Sequence, residues 1–147
     1  SIESVHGHFA PLVRREPLVA AETVLQLPDK LRAEQETFDK TGGLHAAGLF
    51  DAEGNLLTLR EDVGRHNAVD KVVGRLHLDG QLPANDLGLW VSGRASFEMA
   101  QKAWAAGFAA LVAVSGPSAL AVETAAVANL QLAGFARGDR LNLYTGD

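Results

Sequence analysis

The spacing of apolar and polar positions divides the chain into elements before composition is weighed. From Asp29 the segment DKLRAEQETFDKTGG carries Leu31, Gln35 and Phe38 at helical spacing, follows Pro28 and stops at Gly42-Gly43, which predicts a helix. LHAAGLFDAEGNLLTLRED, from Leu44, sets two apolar runs on either side of the turn composition DAEGN and predicts a β-hairpin. In RHNAVDKVVGRL, from Arg65, the residues Val69, Val72, Val73 and Leu76 share one helical face, and Asp70, Lys71 and Arg75 fall off it. NDLGLWVSGRASFEMAQKAWAAG, from Asn85, then reads as a short apolar strand, a glycine turn and a helix ended by Gly107. The same unit follows at once in FAALVAVSGPSALAVETAAVANLQLAG, whose strand over 110–114 is apolar enough to be buried on both faces of a parallel sheet. LQLAGF and LNLYTG close the chain as two strands around ARGDR.

The order is helix, hairpin, helix, strand, helix, strand, helix, strand, strand, which predicts an α/β layered mixed sheet. Residues 1–28 show no clean period and carry Pro11 and Pro17, so they read as a leading arm ahead of a domain over 29–147. The two strand–SG–helix units are alike, but a solenoid needs three or more repeats.

Composition narrows the function classes. A chain of 147 residues with 47% hydrophobic content is large enough for one domain with a sizeable core. The net charge of −5 argues against a global basic field for nucleic acid, but a local basic pocket stays open. Aromatic residues make up 6% and form no row interleaved with basic residues, which argues against a nucleic-acid platform. No stretch approaches 18 uninterrupted apolar residues, so no membrane span is expected. Arg14, Arg15 and Glu16 break the early apolar runs, so no signal peptide is expected either. The chain has no cysteine, which removes disulfides, Cys-ligated zinc, iron–sulfur clusters and a thiolate nucleophile from its own chemistry.

In an α/β sheet, ligands bind beyond the carboxyl ends of strands, where helix N-termini expose free N–H groups. Three glycine-containing turns fall at such ends: EDVGRHN with Arg65, His66 and Asn67; SGRAS with Ser92, Gly93 and Arg94; and SGPS from Ser115. FARGDR adds Arg137 and Arg140. Arginine forks suit phosphate, so these turns point to a pocket for a phosphate-bearing small molecule. Spacing alone leaves a plainer reading open and favours it, because Ser96 and Ser118 have the positions of helix caps, and Asn67 and Asp70 those of ordinary helix-start residues. Val63, Val69 and Val72 are expected in the core, and Asp70 with Lys71 as a structural ion pair. Met99, Ala100, Trp104, Ala105 and Ala106 form a face expected in the core rather than at a dimer surface.

His6 and His8 alternate as on a strand but have no third ligand at a known spacing. His45, at a strand start, is expected to be buried and hydrogen-bonded, whereas His66 sits in the densest polar turn and is the better ligand candidate. No Ser-His-Asp order, nucleophile elbow, P-loop or GxGxxG is present.

TGGLHAAGLFD, EDVGRHNAVDKVVG, SGRASFEMAQKA, AVSGPSALAVETA and GFARGDRLNLYT, taken in order, resemble the successive motifs of the FdhD family of formate dehydrogenase accessory proteins, sulfur carriers or sulfurtransferases. The resemblance runs from about Ser1 to Thr145, and EDVGRHNAVDK is its most specific motif. It implies transfer of sulfur, as a persulfide, from a cysteine desulfurase to the molybdenum (or tungsten) bis(molybdopterin guanine dinucleotide) cofactor, so that formate dehydrogenase becomes active. It also implies a cytoplasmic homodimer and a cytidine-deaminase-like fold. The family's cofactor-binding stretch matches Phe135, Ala136, Arg137, Gly138, Asp139 and Arg140, and a GDP-like nucleotide is then an expected ligand. Arg65, His66, Asn67, Ser92, Gly93, Arg94, Ser115 and His45 are expected to line the same pocket.

Zinc deamination does not follow from that fold, since it needs a His-x-Glu motif and a Pro-Cys-x-x-Cys motif. This chain has HAA at His45 and no cysteine. The family's persulfide forms on a Cys-x-x-Cys loop just ahead of a SIE-type segment, and this chain opens on SIES. The expectation is therefore a cofactor-binding fragment, joined by its leading arm to an absent N-terminal region, that binds but does not itself transfer sulfur. The competing expectations are a non-catalytic docking scaffold for dehydrogenase maturation and a nucleotide-binding enzyme of the same fold.

Overall fold

The computed structural model of the chain describes residues 20, 22–23, 26–27, 45–135 and 141–145. The helix expected from Asp29 lies outside the described residues, as does most of the leading arm.

The expected hairpin forms as β1 (His45–Phe50) and β2 (Leu56–Asp62). Asp51 shapes its turn: one carboxylate oxygen accepts the backbone N–H groups of Glu53 at 3.0 Å and Asn55 at 2.8 Å. This is the local bonding that makes Asp a turn residue. Helix α1 (Arg65–Leu78) follows, then β3 (Gly88–Val91), α2 (Phe97–Ala106), β4 (Ala110–Ala113), α3 (Ala119–Ala128), β5 (Gln131–Phe135) and β6 (Leu141–Thr145). The strands form one sheet in the order β2-β1-β3-β4-β5-β6. β3, β4 and β5 run parallel, and the other neighbours pair antiparallel. The α/β layered mixed sheet read from the sequence is what the chain adopts.

Period-two alternation assigns each strand two faces. Ala47, Leu49, Leu89, Val91, Leu111, Ala113 and Leu132 point to the side where α1, α2 and α3 bury Val69, Val72, Leu76, Met99, Trp104, Ala121 and Ala125. Ala46, Phe50, Trp90, Ala110, Val112 and Ala133 form a second buried cluster, which includes Leu27. β4 is buried on both faces, as its uninterrupted apolar run requires. Met99, Ala100, Trp104 and Ala106 lie in the core as expected, while Ala105 faces outward.

Three further sequence expectations are corrected. Val63, expected in the core, is 78% exposed, because it sits in the bend between β2 and α1 where neither period assigns it an inward face. Val114, expected to continue the fourth strand, lies beyond the end of β4 and is 42% exposed. Asp70 and Lys71 do not pair with each other, since adjacent helical residues do not face one another. Lys71 reaches Asp62 at 2.8 Å, and Asp70 reaches Lys102 of α2 at 2.6 Å.

The join between the hairpin and the parallel strands is close. Gly88 stands opposite Phe50, and a Cβ added at Gly88 would fall inside the fully buried Phe50 ring. Gly88→Ala is therefore expected to destabilise the fold by about 1–3 kcal/mol through overpacking. Urea unfolding of the two proteins checks this, and an unchanged midpoint would show that the ring has room to move.

Candidate functional site

Strand directions bring the separate turns to one end of the sheet. β3 and β4 end side by side, with Val91 opposite Ala113, and Ala113 stands opposite Gly134 near the end of β5. β1 runs the other way, with Ala47 opposite Val91, so His45 lies level with the turn that follows β3. His45 is paired in turn with Asp62, the last residue of β2. Phe135 of β5 is paired with Leu141 of β6, so the connection over 136–140 leaves from this same end.

The turns are bonded to one another. Val114 N–H donates to Val91 O at 3.2 Å, and Ser118 N–H donates to Ala95 O at 3.1 Å. Ser92 extends the ladder beyond β3: its N–H donates to Ala46 O at 3.0 Å, while its hydroxyl oxygen accepts Ala46 N–H at 2.9 Å. The Ser115 carbonyl lies over Gly134, where a Cβ would come within 2.9 Å of it.

The starts of the three helices are satisfied in different ways. Ser96 accepts Met99 N–H at 3.3 Å and Ser118 accepts Ala121 N–H at 3.1 Å, so both serines are the caps that spacing favoured. At α1 the cap position is Gly64, which has no side chain to offer, and the first turn holds no acid. Asp62 shapes this start instead. One of its oxygens accepts Gly64 N–H at 2.9 Å and faces the Asn67 amide at 3.4 Å, while the other meets Lys71 Nζ at 2.8 Å. Lys71 also donates to Glu61 O at 2.8 Å.

These bonds lower the Asp62 carboxyl from 3.8 to about 2, the Lys71 hydrogen bond contributing most and the Gly64 N–H next. Glu98, in the first turn of α2, is also lowered. Its own backbone N–H contributes most, then the Ser96 hydroxyl, with the charge of nearby Arg65 adding to them. Lys102 of α2 meets Asp70 of α1 at 2.6 Å, so the two helices lie side by side.

The site residues read from the sequence divide accordingly. Arg65, Arg94 and Ser115 are exposed at the common end, and His45, His66, Ser92 and Gly93 are half-buried there. The space where a Gly93 side chain would stand is empty to 4 Å. Asn67 is exposed, with its amide toward Asp62. Phe135 is described by its backbone alone, and Ala136, Arg137, Gly138, Asp139 and Arg140 lie outside the described residues. Asp62 escaped the sequence reading, and Lys71 was expected to pair with Asp70 instead. The signal was present in Asp62 standing two residues before Gly64, the spacing of an Asx turn, but nothing local pointed to Lys71 as its partner. Among the described residues no group of three His, Asp or Glu side chains is arranged to hold a metal ion.

The model of the FdhD/NarQ family matches residues 2–147, nearly the whole chain. The chain belongs to the FdhD/NarQ family. Two curated members show how closely. The sulfur carrier protein FdhD of Streptomyces avermitilis is 58% identical over 137 residues, which are 93% of this chain and 47% of that protein. The sulfur carrier protein FdhD of Mycobacterium tuberculosis is 53% identical over 127 residues, 86% of this chain and 46% of that protein. A crystal structure assigned as a formate dehydrogenase accessory protein, from Desulfotalea psychrophila, superposes with a TM-score of 0.78 at 28% identity. It covers 97% of this chain and 60% of the other. The chain thus spans about half the length of the curated FdhD relatives it matches.

A carboxyl that is more acidic folded than unfolded stabilises the fold above its unfolded value and loses that contribution as pH falls through its folded value. For Asp62 the window runs from about pH 4 down to about pH 2. Asp62→Asn is expected to flatten the fall in unfolding free energy across that window. Denaturant titrations at stepped pH check this, and a fall as steep as in the parent would show that the ion pair adds nothing.

Proposed function

We propose that this chain is the cofactor-binding part of a sulfur carrier that serves formate dehydrogenase maturation. On this reading the end of the sheet that carries Arg65, His66, Asn67, Arg94 and Ser115 receives the guanine dinucleotide of a molybdenum bis(molybdopterin guanine dinucleotide) cofactor, or of its tungsten counterpart. Arg137 and Arg140 contact phosphate or guanine, and Gly138 lets the backbone approach. The sulfur, taken from a cysteine desulfurase, is held by a cysteine that this sequence does not contain, in a cytoplasmic homodimer. The chain by itself then binds the cofactor and transfers nothing.

One observation carries the reading: the strand register gathers three glycine turns, two exposed arginines and the exit and re-entry of the 136–140 connection at one end of the sheet. Exposed guanidinium groups and helix-start backbone N–H groups are the donors a pyrophosphate needs. The open space at Gly93 lets a ligand come close to the backbone there. The names of the relatives supply the client enzyme, and their greater length supplies room for the missing thiol.

Calorimetric titration of GDP tests the binding half of this reading. Arg137→Ala with Arg140→Ala is expected to weaken GDP by about a hundredfold, since each hydrogen bond to a charged group contributes roughly 1.5–3 kcal/mol. Equal affinity of parent and variant would overturn the assignment of that stretch.

A further inference from the structure

The ligand reading assigns no role to Glu61, Asp62, Gly64 and Lys71, four members of EDVGRHNAVDK. The structure joins them in one network at the entry to α1. Lys71 lies almost two helical turns into α1, and its ammonium reaches back to both Glu61 O and the Asp62 carboxylate at 2.8 Å. Asp62 passes the connection on to Gly64 N–H at 2.9 Å. Between strand and helix stand only Val63 and Gly64. Val63 is 78% exposed, so apolar packing does not hold the bend. Gly64 has little room for a side chain, because a Cβ there would come 3.2 Å from the Asn67 amide nitrogen. Polar bonds therefore shape the turn from which α1 starts, while Val69, Val72 and Leu76 seat the rest of the helix on the sheet.

The network has an electrostatic side. A carboxylate two residues ahead of a helix cap suits the positive end of that helix, but it repels any anion brought to the same place. Lys71 offsets the Asp62 charge at contact distance. The carboxylate can thus shape the turn without opposing a phosphate.

We propose that Asp62 and Lys71 are positioning residues: together they orient the first turn of α1 so that Arg65, His66 and Asn67 face the phosphate-bearing ligand, and Lys71 cancels the charge that would repel it. The inference rests on the cofactor reading above and gives a role in it to two residues that do not touch the ligand.

The test is GDP calorimetry on the whole chain, with thermal unfolding of each protein in parallel. Lys71→Met is expected to weaken GDP about tenfold, the loss typical of one charge-assisted contact. Lys71→Arg, which keeps the charge and reach, is expected to restore affinity to within about threefold. Asp62→Asn added to Lys71→Met is expected to recover part of the loss, because the unbalanced charge is gone. In an Arg65→Ala, His66→Ala, Asp62→Asn background Lys71→Met is expected to change little, since both the oriented groups and the charge that Lys71 balances are gone, and groups that act as a unit couple in a double-mutant cycle.

If the parent does not bind GDP, the cofactor reading falls and this inference falls with it. If the parent binds and Lys71→Met binds equally well, the positioning role alone is overturned. A tenfold loss that persists in the Arg65→Ala, His66→Ala, Asp62→Asn background would show a general structural effect and would also overturn it. Should Lys71→Met fail to fold, Asp62→Glu keeps the ion pair and displaces the turn by one methylene; it is expected to weaken GDP in the parent and to change little in the Arg65→Ala, His66→Ala background.

Discussion

The position of β1 against β3 is the constraint on which the candidate site depends. β1 is the only described strand that joins the hairpin to the parallel strands, and its register decides what lies level with what. With Ala47 opposite Val91, His45 and Asp62 fall at the end where β3 and β4 release their chains into helices. A slip of one residue would turn Ala47 and Leu49 out of the helix-side core and put Ala46 and Phe50 in their place. Ser92 guards against that slip by exchanging two bonds with Ala46, one through its backbone and one through its hydroxyl. The tight fit of Phe50 over Gly88 fixes the other end of the same pairing.

Given that register, the three helix starts meet one physical demand in two ways. The first N–H groups of any helix need acceptors. In α2 and α3 a serine supplies one, which closes the helix start upon itself. In α1 the acceptor stands before the cap, on Asp62, and the first turn itself carries Arg65, His66 and Asn67. On the proposed reading the contrast suits a division of labour in which the capped starts of α2 and α3 hold the scaffold while the first turn of α1 offers its side chains to the ligand. Lateral pairing keeps α1 in place beside α2, through Asp70 with Lys102 and through the charge of Arg65 near Glu98.

Much of this was legible in the chain. Period two in the hairpin, period 3.6 in α1 and the repeated strand–SG–helix unit describe local geometry, and local geometry is what periodicity reports. Ser96 and Ser118 could be read as caps because a cap and its partner lie three residues apart. The contacts that were missed run between distant positions or across a boundary. Ser92 meets Ala46 across 46 positions of chain, and the Asp70 partner Lys102 lies 32 positions away. Val63 and Val114 were assigned inward because valine favours the interior, but each stands just past the end of a strand, where the alternation that would bury it has stopped. The candidate site residues could be grouped from the sequence only through the rule that strand ends in α/β sheets gather their turns. The strand register sets the described members, from His45 to Ser115, at one end of the sheet.

The acidity of the chain bears on how an anionic ligand would be recognised. A net charge of −5 sets up a field that opposes a pyrophosphate at long range. At physiological salt that field fades within about 8 Å, whereas a guanidinium in contact with phosphate acts at roughly 3 Å. Recognition must then rest on short-range donors and on charges neutralised in place. The Asp62–Lys71 pair is such a neutralised charge, and Arg94 and Arg65, the latter near Glu98, are exposed cations at the same end of the sheet. A chain that is acidic overall can in this way present a basic end. The overall charge excludes steering of a polyanion over distance, and it leaves untouched the capture of a small phosphate ester that has already arrived.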